Sequence, residues 1–456
     1  MKKSDEKLKE KTKQISIKEG IAAGVMDGAG VKYITPYALA IGANNAQIGF
    51  LTSIPALLGN LSQLLTSKAI EKFPRKKIIT TGIFLQALMW LPIIFLGYLF
   101  FYKGINHGTS ANLMILFYTL FVIFGSFISP AWNSLMKDNI EKGRGNYFGN
   151  RNKIIGFVGL VVMLICGLIL NFFSEINLFF GFLILFGIAF FARLVSRQFL
   201  TKYYEPELKL KKGYYFDLFQ FIKRIPKSNF GKFVFAISLI TLGTAIASPF
   251  FAVYMLKELQ FNYATWTLVV VFNLLGSLIF MPLWGKFADN YGNLKVLKWT
   301  GALVPLIPLL WFFTFFFGKI NILFIIIYLL AVELFSGFVW SGFNLCAVNF
   351  IYDAVTREKI ALCVSYYNVL NGVGIFIGAT LGGIIASKDF NFFGIGPILF
   401  IFLLSALMRF LFYIILIPKV KEVRGVKEYQ DGAFGKEMIE VLLPTPFKFM
   451  KHHSHI

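Results

Sequence analysis

Long apolar runs broken at short intervals by polar turns set the pattern of this chain. A helix needs about 20 apolar residues to cross roughly 30 Å of hydrocarbon. Read between polar breaks, the sequence offers twelve such runs: 18–42, 46–67, 77–101, 111–137, 147–173, 176–199, 230–257, 262–285, 295–318, 320–350, 360–386 and 393–418. Several exceed the minimum and imply tilt or extension past the bilayer. The pattern predicts an all-α polytopic membrane protein.

The basic residues orient these spans. Of the 45 lysines and arginines, 38 fall at the N-terminus, in the turns after even-numbered spans and in the C-terminal tail. The opposite turns hold only Lys103, Lys257, Lys319 and Lys388, and three lie within spans. That bias places both termini in the cytoplasm, with the cell membrane as the expected location. The formal charge of +22 is thereby an orientation signal, and no nucleic-acid partner is implied.

The longest connection, 200–229, divides the spans six and six. The expected organisation is a basic N-terminus (1–17), a first bundle (18–199), this linker, a second bundle (230–418) and a cytoplasmic tail (419–456). Within the linker, Tyr215, Leu218, Phe219, Ile222 and Ile225 recur at helical spacing opposite Asp217, Gln220, Lys223 and Arg224. This predicts an amphipathic helix ended by Pro226, lying on membrane lipid or serving as a tether under the bundle.

Composition agrees with lipid as the solvent. The chain is 57% hydrophobic and 15% charged, against about 25% charged in soluble domains. Cys166, Cys346 and Cys363 sit inside apolar runs and read as core residues without a disulfide framework. No cleavable signal is evident before the first span. The tail ends in HHSHI, whose three histidines could bind a metal, although such a short tail is expected to be simply solvated. No cofactor is implied.

Two polar turns share a pattern. Between spans 8 and 9 the chain reads GKFADNYGNLKVL, residues Gly285 to Leu297, with Asp289 four positions after one glycine and Lys295 three after Gly292. Sliding back 218 positions gives SKAIEKFPRKKII, where Glu71 falls on Asp289 and Lys77 on Lys295, with Ser67 and Pro74 in place of the glycines. The turns after spans 4 and 10 match more loosely: Asp138 and Arg144 with Asp353 and Arg357, Asn152 and Gly156 with Asn368 and Gly372. Agreement in order and offset predicts a duplicated bundle.

The Gly-x-x-x-Asp-x-x-Gly-x-x-Lys turn between two spans resembles the cytoplasmic-loop signature of the major facilitator superfamily. The turn after span 4, with Asp138, Arg144, Gly145, Tyr147, Gly149 and Arg151, resembles that family's loop between spans 4 and 5. The resemblance covers about residues 18–418. It implies two six-helix bundles related by a pseudo-two-fold axis along the membrane normal, and a secondary transporter of a small solute. A monomer is the expected state. The family uses these turns to hold the cytoplasmic side shut, which makes Gly285, Asp289, Gly292 and Lys295, with Glu71, Lys77, Asp138 and Arg144, the expected gating set. Physically, a carboxylate at one helix end can accept from exposed amides at the next helix N-terminus, where the macrodipole favours negative charge.

Charges within hydrocarbon are costly and mark function by default. Arg193 and Arg409 lie near cytoplasmic ends and are expected to snorkel. Asp27 and Glu333 lie near midplane, roughly 13 and 20 Å along their helices, where a carboxyl can carry a proton. Lys32 is five residues beyond Asp27, poorly placed to meet it on one helix face, and is expected to pair with Glu333 or hold an anionic solute group. In the family fold spans 1, 4, 7 and 10 line the cavity. That implies Tyr33, Tyr37, Trp132, Asn133, Tyr254, Trp340 and Asn344 as wall residues, for which ordinary packing is the alternative. The substrate and coupling candidates are Asp27, Lys32, Tyr37, Glu333, Trp340 and Asn344.

The chain departs from two branches of the family. Span 5 has no Gly-Pro pair and span 4 no arginine, unlike the drug exporters. Glu205-Pro206-Glu207 faintly resembles the sugar-porter loop after span 6, but span 12 offers no matching partner. Export and import stay open, as do proton, sodium or no coupling. A non-transporting receptor or assembly factor on this fold is the alternative. An enzyme is not expected, since no nucleophile–base pair, metal-ligand spacing or phosphate-cradling loop appears.

Overall fold

The computed structural model describes residues 3–140, 144–206, 218–317, 321–356 and 359–427. The side chain of Arg144, together with Tyr215, Asp217, Glu207, Arg357 and the C-terminal histidines, lies outside the described residues. Among these residues eleven helices are long and apolar enough to cross a membrane. They are Asn45–Lys72 (span 2), Arg75–Lys103 (span 3), His107–Asn139 (span 4), Tyr147–Ile176 (span 5), Leu178–Leu200 (span 6) and Asn229–Glu258 (span 7). Tyr263–Tyr291 (span 8), Asn293–Phe317 (span 9), Ile322–Ala354 (span 10), Leu362–Ala386 (span 11) and Pro397–Lys419 (span 12) complete the set.

Span 1 is the exception. Helix Lys3–Ala29 stops at Gly30, tightens into a 3-10 turn at Val31–Tyr33, and resumes as Ile34–Ala40. Pro36 has no N–H for the Lys32 carbonyl and its ring crowds that group, so the regular ladder cannot run through. Gly30 is required at the break because a Cβ there would lie 2.4 Å from the Trp90 ring.

The helices begin where their caps are. Spans 2, 4, 6, 8 and 10 all start after an asparagine, Asn44, Asn106, Asn177, Asn262 and Asn321, whose side chain accepts from a first-turn amide. These five caps lie at one end of the bundle, here the far end. The opposite, terminal end carries Lys3 and the strand of chain after span 12.

The spans form two six-helix bundles. Spans 2 and 11 pack along one seam between them, and spans 5 and 8 along the other. Lipid gives helices no hydrophobic drive toward one another, so close backbone approach at small residues has to hold such seams. A Cβ on Gly49 would lie 2.8 Å from Gly383 Cα, and one on Gly167 would lie 2.4 Å from Thr267 Oγ1. One level deeper, Gly372 faces Asn60 and Gly156 faces Leu278. Moving each residue of one seam by 216 or 218 positions gives its counterpart in the other. The duplication read in the turns is therefore built into both seams.

The linker helix spans Leu218–Arg224. It docks through Phe221, which stacks on Tyr366 at 5.4 Å, while Phe219 and Ile222 stay exposed. Phe221 was not on the predicted apolar face.

Candidate functional site

A cavity of about 310 Å³ opens between spans 1, 5 and 8, lined by Ala23, Gly24, Asp27, Lys32, Arg151, Asn152, Ile155, Gly156, Gly159, Leu160 and Leu274. Spans 1 and 5 meet behind it at glycines: a Cβ on Gly28 would lie 2.6 Å from the Gly159 carbonyl oxygen. Asp27 and Lys32 share this wall with Lys32 Nζ 3.9 Å from Asp27 Oδ2, and both stay partly exposed. This corrects the expectation from helical spacing. The break at Gly30 swings Lys32 back toward Asp27, so the pair forms within span 1 and Lys32 is not matched to Glu333.

Glu333 is half-buried in the second bundle, where Trp311 Nε1 of span 9 donates to its Oε1 at 2.9 Å. Trp340 is half-buried with its ring edge-on to Phe343, and Asn344 is exposed. Tyr37 is not a wall residue. It is 1% exposed, its hydroxyl donates to the Ile93 carbonyl at 2.8 Å, and Phe182 and Phe186 enclose its ring. Tyr33 and Tyr254 are also buried, bonded to the Met163 carbonyl at 2.6 Å and to Thr314 at 2.7 Å. Of the remaining aromatic and amide candidates, Trp132 is half-buried and Asn133 exposed.

Between the cavity and the terminal end lies a buried polar network that the spacing arguments missed. Arg151 Nη2 donates to Glu19 at 2.8 Å, its Nε reaches Ser16, and its guanidinium lies 4.8 Å from the Trp132 ring. Ser196 donates to the other oxygen of Glu19 at 2.9 Å, and Arg193 donates to Gln86 at 2.8 Å and to Ser196 at 3.3 Å. Tyr203 closes the network with a bond to Glu19 at 3.4 Å; burial, and then the Glu19 charge, push its hydroxyl well above the ordinary tyrosine range. Arg193 therefore does not snorkel. Nor does Arg409, which is 1% exposed, donates to the Val304 and Thr244 carbonyls at 3.2 and 3.4 Å, and leaves its Nε without a partner. The two arginines are 216 positions apart, an offset that would have paired them in the sequence.

At the terminal end the charged turns are organised by acids beyond them. Glu205 accepts from the amides of Arg75 and Lys76 at 2.7 and 3.3 Å, and Arg75 Nη1 meets Asp138 at 2.6 Å. In the second half Glu422 accepts from the Leu294 amide at 2.8 Å, and Asn293 donates to Asp353 at 2.6 Å. Span 12 thus does have a partner for Glu205, against the sequence reading, because the matching acid follows the span without the same flanking residues. Gly292, at φ +91°, has no room for a side chain beside the Glu422 carboxylate. Asp138 is part of this arrangement, whereas Glu71, Lys77 and Asp289 are exposed and Gly285 and Lys295 half-buried. Lys77 lies 5.8 Å from the Phe73 ring.

At the far end the halves are closed. Lys257 Nζ donates to the Ala43 carbonyl at 3.2 Å, Asn45 to the Ala386 carbonyl at 2.7 Å, and the outer parts of spans 1 and 7 pack together. Among the described residues spans 4 and 10 make no comparable packing at the terminal end.

The sequence matches the family model of the Major Facilitator Superfamily over residues 21–226 and 233–453. The chain belongs to the major facilitator superfamily. It is a multi-pass membrane protein with a transporter fold. No curated protein matches it. Among solved superfamily structures it is similar to a variant of the nucleoside transporter NupG, at 13% identity and a TM-score of 0.67 over 90% of this chain and 100% of that one. It is also similar to a bacterial homologue of the iron transporter ferroportin in an inward-facing state, at 13% identity and 0.64 over 90% and 99%. A bacterial homologue of the lysosomal transporter Spinster, inward-facing and unoccupied, follows at 14% and 0.54 over 92% and 96%. At these identities the likeness is one of fold. Within the superfamily frame, Asp27 and Lys32 stand on span 1 and Glu333 on span 10, two of the helices that the resemblance assigned to the cavity.

Proposed function

We propose that the protein is a secondary transporter that carries a small solute across the cell membrane by alternating access, with both termini in the cytoplasm. The observation that carries this reading is the pairing of two symmetric glycine-lined seams with a cavity holding the half-exposed charges Asp27 and Lys32. Hydrocarbon tolerates charges where they face a water-filled path. The described conformation, closed at the far end, is then the inward-facing one.

In this reading Asp27 and Lys32 hold the solute, and Arg151 and Asn152 extend the polar wall toward the cytoplasm. Glu333 is the acid suited to proton coupling, since it is enclosed within the second bundle and meets neutral donors, Trp311 and Asn273, with no ion pair among the described residues. Glu71, Lys77, Asp289 and Lys295 form the latch that closes the cytoplasmic ends in the opposite state. Arg144 joins them by resemblance. Asp138 and Arg75 hold the turn of the first half in shape in both states.

The test uses purified protein in lipid vesicles bathed in a defined mixture of metabolites, followed by mass spectrometry of the vesicle interior. Accumulation of at least one solute above protein-free vesicles is the expected result. Equal interiors across nutrient, ion and metabolite mixtures, under imposed proton and sodium gradients, overturn the reading.

A further inference from the structure

We infer that the solute is a small zwitterion of the amino-acid class, held head-first between Asp27 and Lys32. This rests on the transport reading above and names the substrate of that same site.

The two charges are 3.9 Å apart, beyond hydrogen-bond length, with the side chains 50% and 37% exposed for Asp27 and Lys32. Neither makes a hydrogen bond to another described residue, so the ammonium donors and the carboxylate lone pairs face the cavity unspent. An α-amino acid carries its ammonium and carboxylate on one carbon, two bonds of about 1.5 Å apart. Laid against the Asp27–Lys32 pair in the reverse sense, each solute charge meets an opposite one. Such charge-assisted bonds are shorter and stronger than neutral ones.

The rest of the wall favours this class over others. Arg151 is matched by Glu19 at 2.8 Å, so the cavity carries close to no net charge. A solute with a single charge gains one partner and faces a like charge beside it, which discriminates by repulsion. The apolar lining is aliphatic, from Ile155, Leu160 and Leu274, and includes no ring on which a nucleobase would stack. The volume of about 310 Å³ suits an apolar amino acid or a short peptide.

The experiment measures binding to the purified full chain by calorimetry. The probes are free leucine and valine, the same amino acids as amides (cation only) and N-acetylated (anion only), and leucine dipeptides. At least one free zwitterion is expected to bind at least ~10-fold tighter than either blocked form, the scale of one lost charged hydrogen bond. Asp27→Asn should erase the preference over the N-acetyl form while keeping that over the amide, and Lys32→Met should do the reverse. Asp27→Glu and Lys32→Arg keep both preferences and control for folding. Blocked forms that bind as well as free ones overturn the inference, as does silence of the whole panel. If vesicles then accumulate a different solute, the substrate class falls and transport stands. If they accumulate nothing, the transport reading itself falls.

Discussion

Glu205 and Glu422, 217 positions apart, cap the same helix of the two halves from the same side. Each reaches back from the chain after its bundle and accepts the first-turn amides of span 3 or span 9. The charged turns before those helices are thereby fixed from below.

Glu205→Ala and Glu422→Ala should each lower thermal stability in detergent by about 1 kcal/mol, rising toward ~2 where the carboxylate also offsets the helix dipole. The sites share no partner, so the double variant should show the sum. Unchanged melting in both variants would remove the capping role.

The two buried arginines should answer differently to the same substitution. Arg193→Met removes the donor to Gln86 and one contact of Ser196 while Glu19 keeps Arg151, at a cost of about 1–3 kcal/mol. Arg409→Met removes a buried charge bonded only to carbonyls, with one nitrogen unpartnered, and should be neutral or stabilising. Survival of each variant after heating, read by size-exclusion chromatography, decides the matter; equal losses would show that the difference in partners is irrelevant.

Tyr37→Phe should lower stability by about 1 kcal/mol through the lost bond to Ile93 and leave solute affinity unchanged. A weakened affinity at constant stability would return this hydroxyl to the cavity wall.

Opposite ends of the protein should respond in opposite senses. Lys257→Met removes a contact present only with the far end closed, and Asp289→Asn weakens the latch proposed for the other state. Thiol labelling of a cysteine placed in the cavity should rise from the far side in the first variant and from the cytoplasmic side in the second. Shifts of up to ~10-fold correspond to one charged hydrogen bond. Labelling that moves the same way in both would break the alternation.

Glu333→Gln should abolish accumulation driven by a pH gradient while exchange of labelled solute continues. Exchange needs the conformational cycle but no net proton release. Loss of both activities would make Glu333 a solute ligand or a folding residue, and unaltered pH dependence would exclude it from coupling.

The fold was legible because hydropathy and basic residues act through the solvent, which does not depend on tertiary detail. The site was legible only in part. Asp27 and Lys32 were found as charges in hydrocarbon, but their relation was misjudged by assuming an unbroken helix, although Pro36 four residues beyond Lys32 marks the break. Depth alone suggested snorkelling for Arg193 and Arg409; what decides it is the face of the helix, and spans 6 and 12 turn these side chains inward. Tyr37 misled because a buried backbone carbonyl satisfies a hydroxyl as well as a solute does.

The seam glycines also set the geometry of any swing. Gly49 lies four residues from the far end of span 2, and Thr267 four residues from the far end of span 8, so both tightest approaches sit within about 6 Å of that face. A swing pivoting on these two approaches would part the halves unequally. From Gly49 to Lys72 the lever arm is about 35 Å, so a rotation about that point that parts the far lip by an ångström would sweep the terminal-end rim several times as far. The passage should gape on one side and open only as a slit on the other, and the solute must be small enough to use the slit.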